Sequence, residues 1–279
     1  MKPFFDKLAS LPIRAASLNL SQTKLPPARL TAICGVIFLT ALGIRLLYWQ
    51  DNYAELSREK RNSGLQMVSF FYYDQAQRIL DDGGILFPRN PVDRGDATTL
   101  THPPGYSILM SAAFKALPER GADQGLPQTN PVLRVIQIIG DAASAVVLLL
   151  IATELFPIGV AIIAAMFCSL SPHFAYYSLM LAPDSLSVLP LLLAVFVLIR
   201  AIKHPRFITV LAAGALVGLS CWLRSNALLL APFVACAIPL LFERGKRLRY
   251  SLAISGAAVV VIAPIIARNW IVFHEFVPL

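Results

Sequence analysis

Apolar residues are gathered into long unbroken runs and do not alternate with polar ones. The runs lie at about 30–48, 131–155, 158–181, 184–202, 207–223, 226–242 and 249–267. Each approaches the roughly 20 residues an α-helix needs to cross about 30 Å of hydrocarbon. Open sheets cannot satisfy their backbone in lipid. The pattern therefore predicts an all-α polytopic membrane protein with about seven transmembrane helices. Pro157, Pro183 and Pro205 fall at joints between runs, where a missing N–H costs little. A shorter run, Gly105–Leu117, carries Lys115 and predicts a helix that does not cross.

Between the first two long runs lies a polar segment, 49–103, too long for a simple connection. Within it, Tyr53–Arg61 and Phe70–Leu80 have amphipathic spacing and predict interfacial helices. Gly83-Gly84 ends the second, and Pro88 to Pro91 begins an irregular stretch. The chain then divides into a tail at 1–29, a first transmembrane helix at 30–48, a long loop at 49–103 and a remaining transmembrane module at 104–279.

Composition narrows the class. Hydrophobic residues make up 57% of the chain and charged residues 14%, against about 25% charged in soluble domains. That excludes a disordered chain, a disulfide mini-protein and an ordinary soluble enzyme. The net charge of +8 would suggest nucleic acid if it were spread evenly. It is not. Residues 1–29 hold five basic residues against one acid, whereas 49–103 holds six against eight. Two later connections are basic, one with Arg200, Lys203 and Arg206, the other with Arg244, Lys246, Arg247 and Arg249. The positive-inside rule puts the tail and both connections in the cytoplasm, and 49–103 and the C-terminus outside. The charge thus reads as a topology signal, and no nucleic-acid partner is expected. The charged tail is too long for a signal peptide. Cys34, Cys168, Cys221 and Cys236 lie in apolar runs without CxxC spacing, so they suggest neither a disulfide framework nor a metal site.

Ionisable residues in or at the rim of spans are functional candidates, because lipid makes them expensive. On the outer face the topology gathers Arg45, Asp51, His102, Asp184, Arg224 and Arg268. Such a set can hold an anionic lipid headgroup while a carboxylate removes a proton from an acceptor. Bland roles compete for each. Arg45 could snorkel or pair with Asp51, and Asp184 could favour the first turn of a helix through its dipole. His102, before two prolines, could shape a turn. Asp141, about ten residues into the second run, is expected to bond a neighbouring helix. Tyr176-Tyr177 reads as an interfacial belt.

Five ordered stretches carry a further signal. They are Arg45-Leu-Leu-Tyr-Trp-Gln-Asp51, Tyr73-Asp-Gln-Ala76, His102-Pro-Pro-Gly-Tyr106, Leu181-Ala-Pro-Asp184, and Ala263-Pro264 followed by Arg268-Asn269. Together they resemble the N-terminal module of the membrane-embedded GT-C glycosyltransferases, the group of the protein O-mannosyltransferases and the lipid A aminoarabinose transferase. The resemblance implies a polyprenyl-phosphate sugar donor, a protein or glycolipid acceptor hydroxyl, and inversion at the sugar. It makes 49–103 an extracytoplasmic catalytic loop at the bacterial inner membrane, with the N-terminus cytoplasmic. Asp51 matches the general base and Asp184 a second carboxylate. His102, Arg224 and Arg268 match substrate- and phosphate-facing positions. Tyr53 stands only two residues after Asp51, and the closer Tyr-x-x-Ala match is at Tyr73, which makes Asp74 the alternative base. No organic cofactor is implied, and a divalent metal is left open. Relatives continue beyond the point where this chain stops, which leaves open a fragment, a split gene product whose partner chain supplies the C-terminal part, or a naturally short form. The rival readings are a lipid or solute transporter, against which stands the lack of an inverted repeat, and an inactive or partner-completed fragment.

Overall fold

The computed structural model describes residues 25–58, 64–87, 102–117, 131–274 and 276. Among them there are helices and no strands. In chain order these are α1 (Pro27–Arg58), α2 (Gly64–Asp82), α3 (Gly105–Ala116), α4 (Pro131–Leu155), α5 (Ile158–Leu170) and α6 (Pro172–Leu179). Then follow α7 (Asp184–Lys203), α8 (Phe207–Leu223), α9 (Leu230–Leu241) and α10 (Arg247–Phe273). Short 3₁₀ turns at Ser225–Leu229 and Arg244–Lys246 flank α9.

Four helical segments are long and apolar enough to cross a membrane: Pro27–Asn52, Pro131–Leu155, Asp184–Lys203 and Arg244–Val272. A fifth is possible if α5 and α6, bent by 51° at Ser171, count as one span. The expected seven is therefore not reached by length. The run at 207–223 folds as the 17-residue α8, while the run at 226–242 opens in a 3₁₀ turn and leaves the 12-residue α9, a change of helix type that hydropathy does not register. The helix expected at Tyr53–Arg61 is instead a continuation of α1 as far as Arg58; residues 59–61 lie outside the described residues. The amphipathic helix expected at Phe70–Leu80 is present within the longer α2. At 12 residues, α3 is about 18 Å long, shorter than the roughly 30 Å of a bilayer's hydrocarbon.

The core is built around α4. Its apolar face packs on α1 and α5 through Ala142, Ala145 and Leu149 against Ile37, Ala41 and Ala161. Near its N-terminus, Leu133 joins a second cluster with Tyr72 and Ala76 of α2 and Tyr106 and Met110 of α3. The helices α8 and α10 run side by side at close range. A Cβ at Gly214 would collide with the Ile254 carbonyl, and one at Gly218 would lie 2.8 Å from the Ala258 oxygen. Glycines four residues apart allow this approach.

Charge divides by end. Lys203 at the foot of α7 reaches Glu154 at the foot of α4, with Nζ to Oε2 at 2.6 Å. The Arg249 guanidinium lies 4.4 Å from the centre of the Phe207 ring, joining the starts of α8 and α10. At the other ends of α7 and α8, Asp184 and Arg224 meet as an ion pair. The basic connections and the Asp184–Arg224 pair therefore occupy opposite ends of the same helices.

Candidate functional site

Asp184 opens α7 after a turn, Met180–Pro183, in which the Ala182 N–H donates to the Met180 carbonyl at 2.8 Å and the Ala182 carbonyl needs a donor from outside the turn. Gln137 of α4 supplies it. Its amide Nε2 donates to the Met180 carbonyl at 2.6 Å and to that of Ala182 at 3.1 Å. The amide oxygen accepts the Tyr106 hydroxyl at 3.1 Å. Tyr106 and Gln137 are both fully buried, so a lost partner here would leave a desolvated polar group. This bridge fixes the direction in which the carboxylate of Asp184 leaves the bundle.

Arg224 is held as firmly. It ends α8 in an extended conformation, its N–H donating to the Ser220 carbonyl at 2.9 Å. Trp222 Nε1 donates to the Val261 carbonyl of α10 at 2.8 Å, and Ser220 Oγ to the Ser187 carbonyl of α7 at 3.0 Å. Gly105 lets the start of α3 lie against the Trp222 backbone, where a Cβ would collide. The guanidinium then pairs with Asp184, both side chains being partly exposed.

Aromatic rings form the neighbouring wall. Tyr106 meets Tyr72 edge-on at 5.1 Å, Tyr72 meets His102 edge-on at 5.0 Å, and His102 stacks on Phe71 at 5.5 Å. Burial pushes the Tyr72 hydroxyl up to about 12, against the pull of the Arg224 charge. Burial, then the repulsion of Arg224, holds His102 below its usual 6.5. A neutral imidazole and a protonated phenol thus stand within the field of one guanidinium. The group can bind an anion at Arg224 and offer neutral hydrogen-bonding atoms beside it.

Residues 126–271 match a family described as dolichyl-phosphate-mannose-protein mannosyltransferase. The chain belongs to this family. It is thereby one of the GT-C membrane glycosyltransferases, as the sequence resemblance implied. No curated protein matches the chain. The matched region runs from before α4 almost to the end of α10, and it contains Gln137, Asp184, Arg224 and Arg268.

The remaining candidates lie as follows. Arg268 of α10 donates through Nε to the Leu86 carbonyl at 3.0 Å, and through Nη1 to Asn269 Oδ1 at 3.3 Å. It thereby ties the segment after α2 to α10. Tyr73 packs edge-on against Phe114 of α3 at 5.8 Å. Asp74, on the side of α2 away from the buried Tyr72, pairs with Arg78 at 3.0 Å in the exposed i,i+4 arrangement. Asp51 is exposed near the end of α1 and makes no side-chain bond to another described residue. The structure brings Asp184, Arg224 and His102 together, and sets Asp51 and Asp74 on exposed faces.

Arg45 departs from both sequence readings. It neither snorkels nor pairs with Asp51. Fully buried, it bonds Asp141 of α4 through Nε at 2.5 Å. Its Nη1 also donates to the carbonyls of Ala41 at 3.0 Å and Ser169 at 2.8 Å. The sequence readings omitted Tyr72, Gln137 and the buried Arg134, and quoted Tyr106 only as the end of a motif, without a role. A signal was present: Arg134, Gln137, Asp141 and Ser144 fall three, four and three residues apart, a polar stripe along one face of an apolar helix. Among the described residues no three His, Cys, Asp or Glu side chains converge on a point that could hold a metal ion.

Proposed function

We propose that the chain transfers a mannose-type sugar from a polyprenyl-phosphate donor to an acceptor hydroxyl, at the extracytoplasmic face of the bacterial inner membrane and with inversion. The observation that carries this reading is the Asp184–Arg224 pair beside His102 and Tyr72, at the end of the helices opposite the basic connections. Positive residues favour the cytoplasmic side, so the far end is the extracytoplasmic one. Arg224 binds the donor phosphate, and Asp184 orients its guanidinium. Arg268 holds the segment after α2 against the same end and adds a second cation.

The acceptor oxygen attacks the anomeric carbon as the bond to the phosphate oxygen breaks. The leaving polyprenyl phosphate keeps the electron pair and needs no proton, since it departs as a stable anion. The acceptor proton goes to Asp51, an exposed carboxylate towards the end of α1 that the family resemblance matches to the general base. One base and no carboxylate nucleophile imply a single displacement.

The full chain in lipid nanodiscs, given radiolabelled polyprenyl-phosphate mannose and an acceptor, should release free polyprenyl phosphate. Asp51→Asn should slow release by about 10²–10⁴-fold, the usual contribution of a general base. A wild-type chain inert towards the donor overturns the reading. Unchanged turnover in Asp51→Asn moves the base to Asp74 or Asp184.

A further inference from the structure

The end of the bundle away from Asp184 carries a second arrangement that the transfer reaction does not use. Two of its cations are satisfied internally: Lys203 by Glu154, and Lys246 by Glu243 at 3.2 Å. Arg247 turns its Nε to the Phe242 carbonyl at 3.0 Å. Arg206 and Arg249 are exposed and pair with no carboxylate among the described residues. They are also neighbours. Arg206 immediately precedes Phe207, and the Arg249 guanidinium stacks over the Phe207 ring at 4.4 Å. Phe207 in turn rests on the buried Tyr250, with centroids 6.4 Å apart. A guanidinium held on an aromatic face keeps its edge N–H groups free while losing conformational freedom.

The surface beside these cations is aliphatic. Ile208, Leu248 and Leu252, in the first turns of α8 and α10, are 67%, 72% and 64% exposed. Fixed guanidinium groups next to exposed alkyl side chains complement a molecule with an anionic head and hydrocarbon tails. A soluble anion would neutralise the arginines and leave the alkyl groups uncovered.

We propose that the starts of α8 and α10 form a binding site for an anionic phospholipid, its phosphate between Arg206 and Arg249 and its acyl chains along Ile208, Leu248 and Leu252. The site is independent of the transferase reading, because it stands at the other end of the helices and needs no sugar donor. It holds the α8–α10 corner against the leaflet surface, as basic pockets between membrane helices hold acidic lipids.

The test exchanges the full chain into mixed phosphatidylcholine and phosphatidylglycerol micelles and counts retained lipid by native mass spectrometry. Wild type should retain phosphatidylglycerol in preference to phosphatidylcholine. Each cation near a lipid surface is worth about fivefold in affinity, so Arg206→Gln with Arg249→Gln should cut the preference roughly 25-fold. The Lys–Lys variant should keep most of it. Phe207→Leu, which retains both charges, should lose a smaller factor, and this variant decides the matter if the double glutamine variant does not fold. Equal retention of the two lipids by wild type overturns the proposal, as does undiminished retention in a folded glutamine variant or, where that variant does not fold, in Phe207→Leu. Inorganic phosphate displacing the lipid at equal charge would identify a soluble-anion site instead, and would overturn it too.

Discussion

The two arginine–aspartate pairs, Arg45–Asp141 and Arg224–Asp184, have the same chemistry in different surroundings. The first lies inside the bundle with Arg45 wholly buried. Its guanidinium also reaches the Ser169 carbonyl, and that of Cys168 at 3.5 Å. These carbonyls sit where α5 breaks before Pro172, and a proline has no N–H to return to the carbonyl four residues earlier. The first arginine therefore neutralises an acid and closes a gap in the backbone hydrogen bonding of α5–α6. The second pair sits at the end of two helices with both side chains partly open to solvent. Its arginine is free to exchange its partner for a ligand. Burial makes one pair a structural clamp, and exposure leaves the other available for binding.

The largest effect should come from breaking the clamp. Arg45→Ala leaves Asp141 buried without its counter-charge and removes a donor from the break in α5–α6. Removing one partner of a buried pair costs about 3–5 kcal/mol. The variant should lose its folded fraction in detergent, read by thermal melting and size-exclusion chromatography. Arg45→Met with Asp141→Leu should recover much of that loss, because no lone charge remains. Recovery should stay incomplete, because Ser169 still lacks its side-chain donor. Melting by Arg45→Ala at the wild-type temperature would show that the pair contributes nothing.

The same substitution at the second pair should separate stability from activity. Arg224→Gln should change stability by less than about 1 kcal/mol, as for partly exposed pairs. If Arg224 holds the donor phosphate, loss of a charged hydrogen bond worth about 1.5–3 kcal/mol lowers turnover roughly 10- to 150-fold. Asp184→Asn should act less on donor binding than on its orientation, lowering kcat more than it raises KM. A melting loss equal to that of Arg45→Ala would make Arg224–Asp184 a second clamp and end the contrast.

The contrast was only half legible in sequence. Runs of apolar residues announced α1, α4, α7 and α10 because a membrane span is mainly a matter of length and hydropathy. They gave α8 its bounds and overstated α9, since the first residues of the 226–242 run fold as a 3₁₀ turn that hydropathy does not distinguish from helix. Asp184 and Arg224 could be placed on one face because helix ends follow from span counting. Arg45 could not be matched with Asp141, since partner choice depends on helix rotation, which hydropathy does not encode. Gln137 and Tyr106 lie 31 residues apart, and nothing in their spacing pairs them. Only their contact shows that they set the turn before Asp184.

The smallest effect tests the electrostatics of the mouth. His102 is held below its usual 6.5 by burial, then by Arg224, so the unfolded chain takes up the proton more readily than the folded one. The contribution to stability is complete above about 6.5, the unfolded value. It is lost as pH falls from there to the lowered folded value, with no further loss beneath it. The slope should appear as a decline in melting temperature on the acid side of roughly pH 5 to 8. Subtracting the profile of His102→Gln should remove that decline. A background carrying Arg224→Gln should shrink it, because one of the two causes is gone, while burial against Phe71 and Tyr72 preserves the rest. Arg45→Met with Asp141→Leu gives the internal control: the pair makes no contact with His102 among the bonds above, so this folded variant should lower the whole profile without changing the histidine slope. If the slope survives His102→Gln, the titrating group is elsewhere, and the mouth does not differ from the core in the way its exposure implies.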